Sequence, residues 1–153
     1  MQKASVDDLM RSPVTTFSPD DPLKQVKEVM VEHGFSCAPI TGEDDTLLGI
    51  VTATDLLAEF DPAAPASSLM HTKVYTVPRY AATNLPARMM RNHGIHHLVV
   101  VHEQKVVGVL SSFDLLKLVE EHAYVAKNPS SENKRKRGKR GREEQEAAEQ
   151  RGE

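Results

Sequence analysis

Two short stretches of the sequence share one pattern: a glycine, two apolar residues, a hydroxyl residue and, three positions later, an aspartate. They are GIVTATD at 49–55 and GVLSSFD at 108–114. Glycine lets a backbone approach a ligand closely, and a hydroxyl with the free N–H groups of a coming helix favours a phosphate. A carboxylate can accept hydrogen bonds from both hydroxyls of a sugar diol. The pattern therefore predicts the binding of a sugar phosphate.

A structural role fits the same residues. Thr52 with Asp55, and Ser111 with Asp114, have the spacing of a capping box, in which the two side chains satisfy amides at the start of a helix. Spacing alone does not separate a cap from a ligand site. The occurrence of the glycine-led pattern twice favours at least one working ligand site.

Both stretches belong to a longer internal repeat. A shift of 60 positions places Leu9-Met10 over Leu69-Met70 and His33-Gly34 over His93-Gly94. The shift becomes 59 at Gly49 and Gly108, because the first copy has a longer turn at 42–45. Self-similarity at a fixed period indicates a duplicated structural unit.

Each copy predicts the order β, α, β, β, α. Helix signals are clearest around residues 23–33, which Asp20, Asp21 and Pro22 open and Gly34 closes. In the second copy, Pro86 must lie in the first helical turn, where its missing N–H costs nothing. The predicted strands are 14–17, 37–40 and 47–51 in the first copy, and 74–77, 98–101 and 106–110 in the second. The last helices begin near Asp55 and Asp114, with 56–57 and 115–116 as their apolar faces.

One copy buries too little surface to stand alone. We therefore expect an α+β fold in which two βαββα repeats pack around a pseudo-twofold axis, with a ligand cleft between them. The expected domains are residues 4–61 and 66–124, followed by a tail over 127–153.

Composition and charge narrow the class of protein. Aromatic residues make up 5% and Trp is absent, so aliphatic side chains and backbone must wall any pocket. Cys37 is the single cysteine, which excludes an internal disulfide and favours a reducing compartment, the cytoplasm by default. No secretory signal and no apolar run of about 20 residues is visible. We expect no membrane contact.

The tail differs from the body in charge. Residues 1–126 carry a net −6, whereas residues 127–153 carry a net +3. The tail composition predicts disorder. Its Lys/Arg run at 134–142 could contact nucleic acid or another polyanion, or serve only as a solubilising segment.

The doubled motif, the apolar strand at 98–101 and the opening Asp8-Leu9-Met10 resemble the CBS domain family. Two copies resemble a stand-alone Bateman module, and the resemblance covers about residues 4–124. It implies a regulatory role with an adenosine-containing ligand, AMP, ADP, ATP or S-adenosylmethionine, and no catalytic cofactor. It also implies a homodimer, for which exposed helix faces with Met30, Met90 and Leu116 are candidates.

The resemblance also assigns site residues. Thr52 and Ser111 would contact phosphate, and Asp55 and Asp114 would hold ribose. Ile50 and Val109 would lie against the base or sugar. The adenine slot would be formed by Val14, Thr15, Cys37 and Ala38 in one half, and by Val74, Tyr75, His97 and Leu98 in the other.

Two departures from the family pattern affect how well each of the two motif sites is expected to bind phosphate. His96-His97 replaces the His-Arg pair of members that bind phosphates, which weakens the phosphate contact. Phe113 beside Asp114 narrows the second site, whereas Thr54 adds a hydroxyl beside Asp55. We therefore expect the Thr52/Asp55 site to be the better phosphate binder.

Two other functions compete with ligand sensing. One is a dimeric scaffold whose basic tail binds nucleic acid or an acidic partner. The other is an enzyme, which we disfavour because no nucleophile-base pair or metal set accompanies the motif. His93, His96, His97 and His102 cluster without a carboxylate or cysteine at ligand spacing, so we expect no metal site.

Overall fold

The computed structural model describes residues 3–121 as two small sheets flanked by short helices. The helices are α1 (Val6–Leu9), α2 (Leu23–His33), α3 (Asn84–His93), α4 (Ser112–Leu115) and α5 (Lys117–Glu121). The strands are β1 (Cys37–Thr41), β2 (Leu47–Thr52), β3 (Thr76–Pro78), β4 (His97–His102) and β5 (Lys105–Ser111). Two 3-10 turns lie at Asp55–Leu57 and Ala66–Ser68.

Each half contains one antiparallel hairpin. In the first half β1 pairs with β2. In the second half β4 pairs with β5, and β3 lies parallel to β4. The predicted hairpins and the α+β class are confirmed. The strand predicted at 14–17 is shorter than expected, because only Phe17 joins the first sheet, through a parallel bridge to Ile40.

The two central helices, α2 and α3, end in the same way, each at a glycine. Gly34 and Gly94 follow α2 and α3 with φ of 67° and 63°, a left-handed conformation that glycine adopts without strain. Pro86 is the third residue of α3 and so lies in its first turn, as predicted.

The two halves exchange their opening segments. One core contains Val6 and Leu9 from the start of the chain together with second-half residues. The other contains Ala66, from the start of the second copy, within a first-half core that Leu69 packs against. Each core is thus completed by a segment that belongs, in sequence order, to the other copy.

Two equivalent backbone pairs join the exchanged segments to the sheets, and we call them the crossover pairs. Arg11 and Val109 exchange N–H···O bonds of 2.8 and 3.2 Å, and His71 and Ile50 exchange bonds of 2.9 and 3.0 Å. The motif glycines permit this approach. A Cβ at Gly49 would lie 2.9 Å from the His71 carbonyl oxygen. We expected these glycines to admit a ligand, but the backbone that approaches Gly49 is the protein's own.

The first copy lacks the full final helix that was predicted near Asp55. The 3-10 turn there ends at Leu57, and the chain continues extended from Ala58. Downstream, the carbonyls of Pro62 and Ala64 accept hydrogen bonds from the N–H groups of Lys24 and Leu23, each at 2.9 Å. These carbonyls cap α2, which has no side-chain cap, so the prediction that Asp20 and Asp21 cap it is wrong.

The predicted dimer faces need one correction. Met30 and Met90 are buried in the two cores and are not available to a second copy, whereas Leu116 is exposed. None of the helices between residues 3 and 121 has the length and apolar character needed to span a bilayer. The tail at 127–153, with the basic run at 134–142, lies outside the described residues.

Candidate functional site

A cavity of about 340 Å³ lies beside the first motif, and we call it the Thr52 cavity. Its volume falls in the range of about 300–1,000 Å³ typical of small-ligand sites. Its wall combines the end of β2 with the segment before β3 and the start of β4. The lining residues include Ile50, Thr52, Thr54, His71, Lys73, Val74, Tyr75, His96 and His97.

A second cavity of about 200 Å³ lies beside the second motif, and we call it the Ser111 cavity. It is built from the equivalent elements of the opposite halves. The lining residues include Arg11, Val14, Thr15, Cys37, His97, Val109, Ser111, Phe113 and Asp114. Phe113 forms part of this wall while its side chain is largely exposed.

Each cavity therefore draws on both halves. The first half's Val14, Thr15 and Cys37 lie with the second motif, and the second half's Val74 and Tyr75 lie with the first motif. No pattern in the sequence predicted that the two sets of residues would cross. The crossing follows from the exchange of opening segments. Residues 14–15 come soon after Arg11, which pairs with Val109 in the second motif, and residues 74–75 come soon after His71, which pairs with Ile50 in the first motif.

Two of the predicted slot residues lie in the cores. Ala38 and Leu98 are fully buried there and line neither cavity. Successive strand residues face opposite sides of a sheet, so Cys37 and His97 face a cavity while their neighbours face a core.

Asp55 is held by two partners. Its Oδ2 accepts hydrogen bonds from the Thr52 N–H at 2.8 Å and the Thr52 hydroxyl at 2.9 Å. Its Oδ1 is paired with His71 Nε2 at 2.7 Å. Burial alone would raise the pKa of Asp55, but the hydrogen bonds from His71 and Thr52 outweigh it and hold that pKa below its usual value. The carboxylate is charged at neutral pH.

Asp114 has an equivalent arrangement with a different cation. Its Oδ2 accepts from the Ser111 N–H at 2.9 Å, and its own N–H donates to the Ser111 hydroxyl at 3.1 Å. Arg11 Nε donates to Oδ1 at 3.4 Å. Both motifs thus form the capping-box geometry, and each carboxylate is also paired with a basic side chain from an exchanged segment, His71 or Arg11.

Ser36 and His97 form a wall shared by the two cavities. Both residues line each cavity, and the Ser36 hydroxyl is hydrogen-bonded to His97 Nε2. Burial, together with the neighbouring His96, lowers the pKa of His97. The shared wall is therefore uncharged at neutral pH.

Cys37 is expected to resist thiol reagents in the folded protein. Burial raises the pKa of its thiol to about 12, and nearby Arg11 offsets only part of that effect. The thiolate is the reactive form, and its fraction near pH 8 is about three orders of magnitude smaller than for a free cysteine, so labelling of the folded protein should be much slower. The measurement is the rate of absorbance change with a disulfide reagent, with and without denaturant. Complete labelling of the folded protein within minutes would contradict this expectation.

Three basic residues that line the cavities were not anticipated from the sequence. Arg11 and His71 occupy equivalent positions, directly after the aligned Leu9-Met10 and Leu69-Met70 pairs. The register of the repeat could have identified Arg11 and His71 as equivalent residues. Their pairing with Asp114 and Asp55 could not be predicted, because it depends on the exchange of opening segments. Lys73 adds a cation to the Thr52 cavity, and its Nζ lies 6.0 Å from the centre of the Tyr75 ring.

Comparison with protein families matches the CBS domain twice, at residues 6–61 and 66–121. The chain belongs to the CBS domain family. Hypoxic response protein 1 of Mycobacterium tuberculosis is 30% identical over 124 residues, which cover 77% of this chain and 87% of that protein. The recognition of a tandem CBS module from sequence is confirmed.

Solved structures resemble this CBS pair over most of its length. Hypoxic response protein I, crystallised with two coordinated zinc ions, has a TM-score of 0.67 and 28% identity, covering 74% of this chain and 98% of that one. The CBS pair of protein MJ0100, in complex with 5-methylthioadenosine and S-adenosyl-L-methionine, has a TM-score of 0.72 and 23% identity. That match covers 79% of this chain and 99% of the other, and it shows a likeness of fold.

Possible metal ligands are not clustered in the part of this chain that the structure describes. Among residues 3–121, no three His, Cys, Asp or Glu side chains lie close enough together to hold a metal ion.

Proposed function

We propose that this CBS pair is a non-catalytic regulatory module that binds an adenosine-containing ligand, AMP, ADP, ATP or S-adenosylmethionine. The observation that carries the proposal is the pair of equivalent cavities, each lined by the hydroxyl residue of one motif, Thr52 or Ser111. Asp114 also lines its cavity, and Asp55 is hydrogen-bonded to two residues that line the other, Thr52 and His71. Thr52 and Ser111 contact phosphate, and Asp55 and Asp114 hold the ribose hydroxyls. A protein of the same fold, MJ0100, binds two adenosine compounds, which supports this class of ligand.

The Thr52 cavity is the better candidate for a phosphorylated ligand. It is the larger of the two, and Lys73 and His96 place basic nitrogen atoms in its wall. The Ser111 cavity offers Arg11, but the buried carboxylate of Asp114 already pairs with that cation. A phosphate would therefore gain less attraction there.

Binding would act through the angle between the halves. Because each cavity has walls from both halves, a ligand contacts both and favours the arrangement in which those contacts are best. A ligand shifts such an equilibrium only by its difference in affinity for the two arrangements. The output would then be a changed surface offered to a separate protein or to a second copy of the chain.

The test is calorimetric titration of the purified protein with each of the four ligands. We expect saturable binding of at least one, weakened about tenfold or more by Asp55→Asn, because hydrogen bonds to charged groups contribute about 1.5–3 kcal/mol. Asp114→Asn reports on the Ser111 cavity in the same way. The matched control is Asp20→Asn, an exposed carboxylate that lines neither cavity.

Two results would contradict the proposal. One is the absence of binding for all four ligands. The other is binding that neither Asp55→Asn nor Asp114→Asn changes relative to Asp20→Asn.

A further inference from the structure

The two motif carboxylates are each paired, in the same structural position, with a different kind of cation. Asp114 Oδ1 lies 3.4 Å from Arg11 Nε, and Asp55 Oδ1 lies 2.7 Å from His71 Nε2. Arg11 and His71 are 60 positions apart and occupy equivalent places in the two crossover pairs. The repeat has thus placed a permanent cation at one site and a titratable group at the other.

Each cation occupies the carboxylate oxygen that the motif leaves free. The other oxygen, Oδ2, is already bound by the amide of Thr52 in one motif and of Ser111 in the other. A ribose that uses both carboxylate oxygens must therefore compete with His71 or Arg11 for Oδ1. The side chains of His71 and Arg11 are 60% and 55% exposed, so either can turn away into solvent.

We infer that His71 is a positioning residue that makes ligand binding in the Thr52 cavity depend on pH, whereas Arg11 adds no such dependence to binding in the Ser111 cavity. This inference rests on the proposed function. Histidine changes its charge between about pH 5 and pH 8, and arginine stays charged throughout. Displacing a charged imidazole from Asp55 costs more than displacing a neutral one. Nucleoside affinity at this site therefore falls as the pH falls.

Other groups around His71 could also respond to pH. Those that pair with it or line the same cavity are Asp55, Lys73, Tyr75, His96 and His97. Asp55, whose pKa is held below its usual value, keeps its charge between about pH 5.5 and pH 8. His96 and His97 are unaltered by a change at position 71, so variants at that position separate the contribution of His71 from theirs.

The experiment titrates the full chain with adenosine, which has no phosphate and so reports on the ribose contact. Dissociation constants are measured by calorimetry at about pH 8 and about pH 5.5 for the wild type, His71→Gln and Arg11→Gln. We expect wild-type affinity to fall by about threefold to fivefold at the lower pH, a modest change because His71 is exposed. His71→Gln keeps a neutral donor and should bind equally well at both values, whereas Arg11→Gln should retain the pH dependence.

Four results would overturn the inference. Three do so while leaving the proposed function in place: wild-type affinity that does not change with pH, a pH dependence of equal size in His71→Gln, or binding of AMP without any binding of adenosine. The fourth, no binding of any adenosine compound at either pH, would overturn the proposed function as well.

Discussion

Replacement of Gly108 by alanine is expected to lower the free energy of unfolding by about 2 kcal/mol, the middle of the range for overpacking. A Cβ at this position would lie 3.0 Å from the carbonyl oxygen of Arg11 and 2.5 Å from Sδ of Met10. The methionine can turn aside. The carbonyl cannot, because it accepts the Val109 N–H in a crossover pair. The strain must therefore displace the exchanged segment from β5.

Urea unfolding followed by circular dichroism measures this loss. The matched control is Gly42→Ala, where the nearest heavy atom to a new Cβ is 3.7 Å away, an ordinary contact distance. We expect the control to lie within about 0.5 kcal/mol of the wild type. Equal stability of the two variants would show that the close approach at Gly108 does not constrain the fold.

Asp114→Ala is expected to cost more stability than the equivalent change Asp55→Ala. The Asp114 side chain is 2% exposed, whereas that of Asp55 is 16% exposed. Asp114 also closes the capping box of an α-helix, while Asp55 opens only a 3-10 turn. Loss of the buried acceptor leaves the Ser111 amide without its side-chain partner. We expect a loss of about 3 kcal/mol for Asp114→Ala and about 1 kcal/mol for Asp55→Ala.

The same urea experiment tests this difference, with the asparagine variants as shape-conserving controls. Each asparagine keeps an oxygen that can accept the motif amide, so both should be more stable than their alanine counterparts. A larger loss for Asp55→Ala than for Asp114→Ala would contradict the ranking. Because alanine at either position removes a cap, asparagine is the cleaner replacement for binding studies.

Local sequence signals predicted the elements of each half. The glycines at positions 34 and 94 marked the ends of two helices, and a polar turn between two apolar strands marked each hairpin. These features depend on a few neighbouring residues, so a single sequence carries them. The final helix of the first copy was predicted wrongly: only the 3-10 turn at Asp55–Leu57 forms, and the carbonyls of Pro62 and Ala64 beyond it accept hydrogen bonds from the start of α2. That contact joins residues about 40 positions apart, and no local pattern reports it.

The site was predicted only in part for a related reason. Thr52, Asp55, Ser111 and Asp114 were named because the motif is local and doubled. The cations that pair with the two aspartates come from the exchanged segments. Val6 and Leu9 are apolar residues near the start of the chain, and nothing in the neighbouring sequence says which of two similar cores they enter. Because the two copies are similar, the residues around each opening segment do not indicate which core it joins.

The exchange of opening segments also makes the two copies depend on each other for folding. Each core is completed by a segment from the other copy's stretch of sequence, and a crossover pair holds that segment to the sheet. A cut between the copies would separate each segment from the core that it completes. The two copies should therefore unfold in one cooperative transition.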